Sequence, residues 1–514
     1  MRPRRWLPAL VTLLVLASFG GWSSSAASPF VGSGGPAVAY RAGGVVVPDA
    51  PDTPTAELHH TGYSTIEPTL GITRDGVLFV DTADAATLAP GVIRSTDQGS
   101  TWTDVSPGHP TTNDPYLYVD PTSGRVFGND YLLACHVLSF SDDLGATWTT
   151  RDGTTCTETD HENLFAGPPP RGDAQPKGYP TVVYSCGNSG GIGVIFFSHL
   201  FNVCNKSLDG GRTFRPTGLP SFFDDPRAGR GDGGIPGNCN ADIGHGYVGP
   251  DGTIYVPKGW CGQPWVAMSR NEGRTWSRVQ VAGNGLMGGP ENAAPIDPLP
   301  LVGRSTFVWE HEAAVAADAN GNVYAAWVAR DRHIYLAVSH DHGRRWGPPL
   351  DATFPGLTQV ALPALDIGTT GKVALAYVGS ANAPGPPFPD DRDCLVGFLL
   401  CDSHPEKYRN ATWNGYITMT ADALSPDPLF YGQSVNDPAE PLVRGGPCGP
   451  VRCLQEYDFI DVRVGPDGTP WGVFVDACGA SATCTDVGEA VVGRLVGGPT
   501  LCAATEPTMS ACPP

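Results

Sequence analysis

Ionisable side chains recur at one register upstream of a repeated glycine turn. Six apolar runs lead into turns that contain Gly76, Gly124, Gly252, Gly321, Gly371 and Gly468. Ten residues before these glycines stand Ile66, Asp114, Asp242, His311, Ala361 and Asp458. Nine residues before them stand Glu67, Pro115, Ile243, Glu312, Leu362 and Phe459. An irregular seventh unit supplies Asp160, His161 and Glu162 at the matching place. The pattern predicts a ring of carboxylates and histidines where successive strands begin.

Crowded carboxylates raise one another's pKa, which is how acid and base pairs for glycoside cleavage are made. The catalytic candidates are Glu67, Asp114, Asp242, Glu312, Asp458 and Tyr457. The ligand-binding candidates are His161, Glu162, His245, Glu310 and His311. Histidine with Asp and Glu also suits a divalent metal, so a Ca²⁺ site is a second possibility for the ring, and the chemistry requires no cofactor.

The same residues also have a purely structural interpretation. Asp114-Pro115 is an ordinary turn opener, and an Asp at the start of a strand often only caps a loop. Exposed acidic residues are expected on a chain whose formal net charge is −20. Both interpretations stay open at this point.

Apolar runs on either side of each glycine turn are typical of β-hairpins. Each hairpin is followed by a further strand, a short motif and a final strand, which gives four strands per roughly 60 residues, repeated about seven times. This predicts an all-β propeller of four-stranded blades, seven by the hairpin count, with six as the alternative. A ring must close or leave exposed sheet edges, and we expect the N-terminal strand Val45-Val46-Val47 to complete the last blade.

The short motif follows the pattern S-x-D-x-G-x-T-W. It occurs at Ser95–Trp102, Ser141–Trp148, Ser207–Phe214, Ser269–Trp276 and Ser339–Trp346, with Asn271 in place of Asp and Arg345 in place of Thr in the last two. The Asp can accept backbone N–H bonds in a tight turn, the Gly supplies a left-handed conformation, and the aromatic ring packs between sheets. The motif therefore predicts fold rather than catalysis.

These motifs resemble the Asp-box (BNR) repeats of the sialidase superfamily, over roughly residues 61–500. The resemblance implies a propeller with the boxes at its periphery and a glycan-hydrolysing site elsewhere. Sialidases clamp the substrate carboxylate with three Arg beside a Tyr–Glu nucleophile pair and an Asp acid/base. No Arg triad is recognisable here, and Glu67 stands roughly where the first Arg would be expected; Arg94, Arg227, Arg230, Arg304 and Arg392 are candidates without a motif. The predicted function is a sialidase-like glycoside hydrolase, or alternatively a non-catalytic extracellular propeller that binds glycan or protein.

The N-terminus reads as a secretory leader, with basic Arg2, Arg4 and Arg5, an apolar segment from Leu7 to Phe19 and small residues at 25–27. We therefore predict a signal peptide at 1–27, a linker at 28–60, the propeller at 61–500 and a tail at 501–514 with a disulfide loop. The expected protein is a secreted bacterial monomer without a membrane span. Its acidity, with a pI near 4.9, argues against nucleic acid as a partner, and an extracellular glycan or glycoconjugate is the expected one.

The 14 cysteines all follow the leader, and an even count in an exported chain favours disulfides. Local pairing gives Cys135–Cys156, Cys186–Cys204, Cys239–Cys261, Cys394–Cys401, Cys448–Cys453, Cys478–Cys484 and Cys502–Cys512.

Overall fold

The structure is a computed structural model. It describes residues 35–84, 87, 89–108, 115–132, 135–156, 160–172, 176–189, 201–220, 243–260, 263–282, 305–307, 313–329, 331–384, 392–394, 401–402, 410–445, 460–478, 488–503, 506 and 510–513. These residues form strands and turns, and no helix in this part of the chain is long and apolar enough to cross a bilayer.

Strands account for all the regular structure in the described ranges. Before the first glycine turn lie β1 (Val38–Arg41), β2 (Val45–Val46) and β3 (Thr55–Thr65). Sheet 1 contains β4 (Leu70–Ile72), β5 (Leu78–Ala83), β6 (Pro90–Ser95) and β7 (Thr103–Asp104). Sheet 2 contains β8 (Pro115–Val119), β9 (Val126–Leu132), β10 (Cys135–Ser141) and β11 (Thr149–Asp152). Sheet 3 contains β12 (Asp160–Gly167), β13 (Val182–Ser189), β14 (Phe201–Ser207) and β15 (Arg215–Pro216).

The second half repeats the arrangement. Sheet 4 contains β16 (Tyr247–Val248), β17 (Ile254–Trp260), β18 (Gln263–Ser269) and β19 (Ser277–Gln280). After β20 (Ser305–Phe307), sheet 5 contains β21 (Ala313–Ala317), β22 (Val323–Val328), β23 (Ile334–Ser339) and β24 (Leu350–Asp351). Sheet 6 contains β25 (Gln359–Ile367), β26 (Val373–Ser380), β29 (Thr412–Thr420), β30 (Phe430–Ser434) and β31 (Val443–Arg444), and it adds β1 and β2 at its outer edge. Sheet 7 contains β32 (Asp461–Val464), β33 (Pro470–Asp476), β34 (Gly488–Val496) and β3. A small side sheet joins β20 to β27 (Arg392–Cys394) and β28 (Cys401–Asp402).

The first strands of the sheets form a ring. Strands β4, β8, β12, β16, β21, β25 and β32 contact one another in that order, and β32 contacts β4 again. Apolar side chains fill the gaps between neighbouring sheets, as where Phe79 and Val92 of sheet 1 pack with Leu117 and Val126 of sheet 2. Six sheets have four antiparallel strands each, and sheet 6 has seven. The molecule is a β-propeller, and these inner strands surround its central channel.

At three of the inner strands a side-chain acceptor reaches the next sheet. The N–H of Leu117 donates to Thr69 Oγ1 at 2.8 Å, and that of Val464 donates to Asp366 Oδ2 at 2.8 Å. The seam between the last and first sheets uses the Leu70 N–H, which donates to Asp461 Oδ2 at 3.1 Å. An inner strand is a sheet edge with unpaired backbone groups. These hydrogen bonds give partners to some of the unpaired backbone N–H groups of the inner strands and join neighbouring sheets.

Ring closure uses a different N-terminal strand from the one predicted. β3 pairs antiparallel with β34 as the outermost strand of sheet 7. Val45 and Val46 instead pair with β1 on the edge of sheet 6, where both are exposed. The expected linker at 28–60 therefore contains β1, β2 and the start of β3.

The five motifs form one kind of turn between the third and fourth strands of sheets 1 to 5. In the second of them the Thr147 N–H donates to Asp143 Oδ1 at 2.8 Å, and the Gly145 N–H donates to Ser141 Oγ at 2.8 Å. Gly145 has a φ of +83°. Trp148 Nε1 donates to the Val105 carbonyl of the neighbouring sheet at 2.7 Å. These contacts match the structural roles predicted for Asp, Gly and Trp.

Three of the predicted disulfides lie within the described residues and are confirmed. They are Cys135–Cys156, Cys186–Cys204 and Cys502–Cys512. Cys478 is disulfide-bonded, but its expected partner Cys484 lies outside the described residues. The predicted pairs Cys239–Cys261 and Cys448–Cys453 also lie outside them. The backbones of Cys394 and Cys401 face each other in the side sheet.

Candidate functional site

The structure describes four of the predicted site residues. Glu67, His161, Glu162 and His245 all lie at or near the starts of inner strands, at the mouth of the channel opposite the glycine turns. We call this end the start-side mouth. The other candidates lie outside the described residues and remain predictions: Asp114, Asp242, Glu310, His311, Glu312, Tyr457 and Asp458.

Glu67 and His161 share an unusual backbone conformation. Each has a φ of +49°, and each is almost fully buried, with 3% of its surface exposed. Leu362 of sheet 6 has a φ of +54° beside a β-bulge between Ala361 and Ala364. Non-glycine residues seldom adopt this region, and when they do they cluster at functional sites. Three sheets therefore kink their inner strands at the predicted register.

The structure corrects that register in sheet 2. Glu67 and Leu362 each lie five residues before the last residue of their inner strands, Ile72 and Ile367. Asp114 lies at the same distance from Val119. The turn after β8 spans 120–125, whereas the turn after β4 spans 73–77, so it is one residue longer. Counted back from the strand ends, sequence position 114 therefore matches position 67, although Asp114 itself lies outside the described residues.

Further along the inner strands lies a polar cluster, of which the sequence analysis predicts only His245. Tyr116, His245 and Asp461 each lie three residues before the end of their strands, and Tyr118, Tyr247, Asp366 and Arg463 each lie one residue before it. Alternate residues of a strand share a face. The turn-anchored alignment, continued in steps of two, would have found both sets.

Arg463 and Asp461 form the centre of this cluster. Arg463 Nη2 lies 2.9 Å from Asp461 Oδ2, and its Nε donates to the Leu70 carbonyl at 3.1 Å. Burial alone would raise the pKa of Asp461, but Arg463 and then His245 outweigh it and hold that pKa below its usual value. Asp461 is therefore ionised at neutral pH.

Two neighbouring acids are shifted the other way. Burial raises the pKa of Asp366 to about 6 despite the nearby Arg463. Burial also raises the pKa of Asp81 well above its usual value, although Asp81 Oδ1 accepts the Thr69 N–H. Adjacent carboxyl groups with opposite shifts are the arrangement from which acid and base roles are assigned.

Side chains from three sheets converge on Asp461. His245 Nδ1 of sheet 4 lies 3.7 Å from Asp461 Oδ1 of sheet 7, and the Tyr116 ring of sheet 2 meets the His245 ring edge-on at 5.7 Å. The His245 side chain keeps 14% of its surface exposed, while that of Asp461 keeps 1%. His245 is thus the more accessible member of the pair.

The channel is narrow below this cluster. A cavity of about 40 Å³ is lined by Tyr116, Tyr118, Tyr247, Asp366 and Arg463, among others. A water molecule needs about 10–15 Å³ of cavity volume, so the cavity holds a few waters at most. A sugar cannot enter it and would have to bind at the mouth.

Neither a metal site nor an Arg clamp is found in the described part of the chain. No group of three or more His, Cys, Asp or Glu there could hold a metal, so Ca²⁺ binding stays a prediction. Arg94 lies on the third strand of sheet 1, and its Nη1 donates to the Leu144 carbonyl of a motif turn. That places it at the end opposite the start-side mouth, and its candidacy as a clamp residue was wrong. Arg227, Arg230 and Arg304 lie outside the described residues, and only the backbone of Arg392 is described.

The carboxyl group of Asp366 is expected to favour the folded state on acidification from pH 6 to pH 4. A buried acid with a raised pKa contributes stability that is fully present below its unfolded pKa near 4 and is lost as the pH rises through its folded pKa. For Asp366 the window runs from about pH 4 to about pH 6. As the pH rises from 4 to 6, the free energy of unfolding of wild type, measured in urea, should fall by about 1 kcal/mol per pH unit. That of Asp366→Asn should fall less. Equal slopes for the two proteins would contradict the assignment.

Comparisons with known proteins give the following likenesses. No protein-family model and no curated protein matches the sequence. A crystal structure of a protein of unknown function from Dyadobacter fermentans is 14% identical over 87% of this chain and 99% of its own, with a TM-score of 0.38. Aleuria aurantia lectin in complex with alpha-methyl-L-fucoside is 11% identical over 63% of this chain and 92% of its own, with a TM-score of 0.35. The NanB sialidase from Streptococcus pneumoniae is 12% identical over 85% of this chain and 68% of its own, with a TM-score of 0.38. The propeller assignment rests on the sheet topology above and not on these likenesses.

Proposed function

We propose that this chain is a secreted, glycan-directed propeller that hydrolyses glycosides at the start-side mouth. The observation that carries the proposal is the presence of two buried acids at the starts of inner strands, Glu67 in sheet 1 and Glu162 in sheet 3, with 3% and 2% of their surfaces exposed. The backbone is left-handed at Glu67 and at His161 beside Glu162, a strained conformation that persists only where the surrounding structure fixes it. Glycoside hydrolysis needs two carboxyl groups fixed on either side of the scissile bond.

The proposed substrate is a neutral glycan. Binding a sugar carboxylate would require bidentate Arg side chains to offset its desolvation. Among the described residues, Arg463 is the Arg that lines the central cavity, and it is already paired with Asp461. Sialic acid is therefore a poorer fit than an uncharged sugar.

We further propose that the propeller has seven blades and that the protein is extracellular. Counting sheet 6 as a blade is supported by its first strand β25, which lies between β21 and β32 in the ring of inner strands. The three disulfides support export, since such bonds persist in oxidising compartments.

A second function is a glycan-binding propeller without catalysis. The narrowness of the cavity favours it, because a surface-bound sugar would meet the mouth without entering a deep pocket. The two functions are separated by turnover.

Glu67→Gln and Glu162→Gln are each expected to lower turnover of neutral aryl glycosides by about 10²–10⁴-fold, the usual effect of losing a general acid or base. The mature protein is screened against neutral aryl glycosides and an aryl sialoside. Glu440→Gln, on an exposed turn, is the matched control and should retain full activity. No turnover by wild type, together with binding on a glycan array, would reject hydrolysis and leave the binding function.

A further inference from the structure

The last residues of the chain lie across the other mouth of the channel. This turn-side mouth is the end where the glycine turns join the first and second strands. The C-terminal loop, residues 501–513 as far as described, is closed by the disulfide Cys502–Cys512. The Leu501 N–H donates to the Gly468 carbonyl at 3.1 Å, and the Leu501 carbonyl accepts the Thr369 N–H at 2.9 Å. The loop is therefore bonded to the turns of both sheet 6 and sheet 7.

The inner face of the loop forms part of the channel. Ser510 and Ala511 line the small cavity together with Asp366 and Arg463. Ala511 belongs to the apolar cluster of sheets 7 and 1 that contains Leu70, and Cys512 is fully buried. The loop thus extends over the consecutive sheets 6, 7 and 1 and lines the central cavity.

Two turns leave room for the loop backbone. A Cβ on Gly368 would lie 1.8 Å from the Leu501 carbonyl oxygen, and one on Gly468 would lie 2.7 Å from the Cys502 nitrogen. Side chains essentially never come this close to another backbone. The seated loop explains glycine at 368, whereas Gly468 is also required by its φ of +83° in the turn.

We infer that the C-terminal loop is a disulfide-locked plug that seals the turn-side mouth. The channel is then blind, and any ligand reaches His245 and Asp461 only from the start-side mouth. The inference goes beyond the proposed function and does not depend on which ligand binds. The cross-link keeps the plug seated because it restricts the conformations open to a released loop.

Hydrogen exchange tests the plug whether or not any glycoside is cleaved. In a Cys502→Ser/Cys512→Ser variant, amides at the turn-side ends of β4, β25 and β32 should exchange at least about tenfold faster than in wild type. The matched control is Cys135→Ser/Cys156→Ser, which removes a disulfide from sheet 2 and should leave these amides unchanged. If the double variant does not fold, the same amides are followed in wild type after mild reduction, with the opened disulfide mapped by mass spectrometry.

Unchanged exchange at the three strand ends would overturn the plug. So would an equal increase in the control variant, or an increase of the same size throughout sheets 3 to 5, because the loop would then be a general clamp. If neither wild type nor any variant cleaves a glycoside, the proposed function is rejected and the inference of the plug is unaffected.

Discussion

Asp461→Ala is expected to lower the free energy of unfolding by about 3–5 kcal/mol, the range for removing one partner of a buried ion pair. Asp461 is fully buried, pairs with Arg463, and accepts the N–H groups of Leu70 and Val462. Its loss leaves the guanidinium of Arg463, whose side chain is 21% exposed, without its ion partner and opens the seam between sheets 7 and 1. Urea unfolding followed by tryptophan fluorescence measures the change.

Two comparisons isolate this effect. Asp461→Asn keeps a hydrogen-bond acceptor and loses the charge, so its cost should be smaller. Asp427 pairs with Arg41 on the surface, and Asp427→Ala should change the unfolding free energy by less than about 0.5 kcal/mol. A cost below about 1 kcal/mol for Asp461→Ala would contradict the role given to this seam.

Gly244→Ala is the second change with a large expected effect. A Cβ on Gly244 would lie 1.9 Å from the Ala313 carbonyl oxygen and 2.9 Å from its carbonyl carbon. The obstacle is backbone rather than a flexible side chain, so sheets 4 and 5 would have to separate. We expect a loss of about 1–3 kcal/mol, the usual cost of overpacking, and a displaced His245 next to the substitution.

Gly128→Ala is the matched control for this prediction. Gly128 lies in β9, and its Cβ would meet only a methyl group of Val92, at 3.8 Å, an ordinary contact. Its stability should equal or slightly exceed that of wild type. Similar melting temperatures for the two variants would show that the close approach at Gly244 is not a constraint.

The local elements of the fold were predictable because their signals are local. The motif at Ser141–Trp148 needs only its own Ser, Asp and Gly to form its turn. The apolar runs around Gly76 and Gly468 likewise form hairpins between neighbours in sequence. Repetition then implied a ring, since a sheet with two exposed edges must find partners.

The prediction that Val45–Val47 closes the ring is wrong because apolar side chains do not identify the closing strand. The outermost strand of a blade needs backbone pairing more than apolar side chains. β3 carries Glu57, His59 and His60 and still pairs along most of its length with β34. Val45 and Val46 are apolar and yet exposed at the edge of sheet 6.

The site was predicted at its rim and missed at its centre. Glu67 and His161, whose backbones are left-handed, lie at the predicted register. They were predictable because a carboxylate or a histidine beside a turn signal is visible in the sequence. Arg463 and Asp366 were missed because each looks like an ordinary polar residue in an apolar run. Only the ring brings Asp366 of sheet 6 to the backbone of Val464 in sheet 7. Such contacts join residues far apart in the chain and leave no local pattern.

Hydrogen exchange in the presence of a neutral oligosaccharide tests the central claim most directly. The ligand is the neutral glycan that the mature protein binds best on an array. The account predicts slower exchange in the segments that contain Glu67, His161–Glu162 and His245, with no change in the motif turns at Asp97 and Asp143 or in the C-terminal loop. Protection confined to the motif turns or to the C-terminal loop, or no protection at saturating glycan, would contradict a glycan site at the start-side mouth.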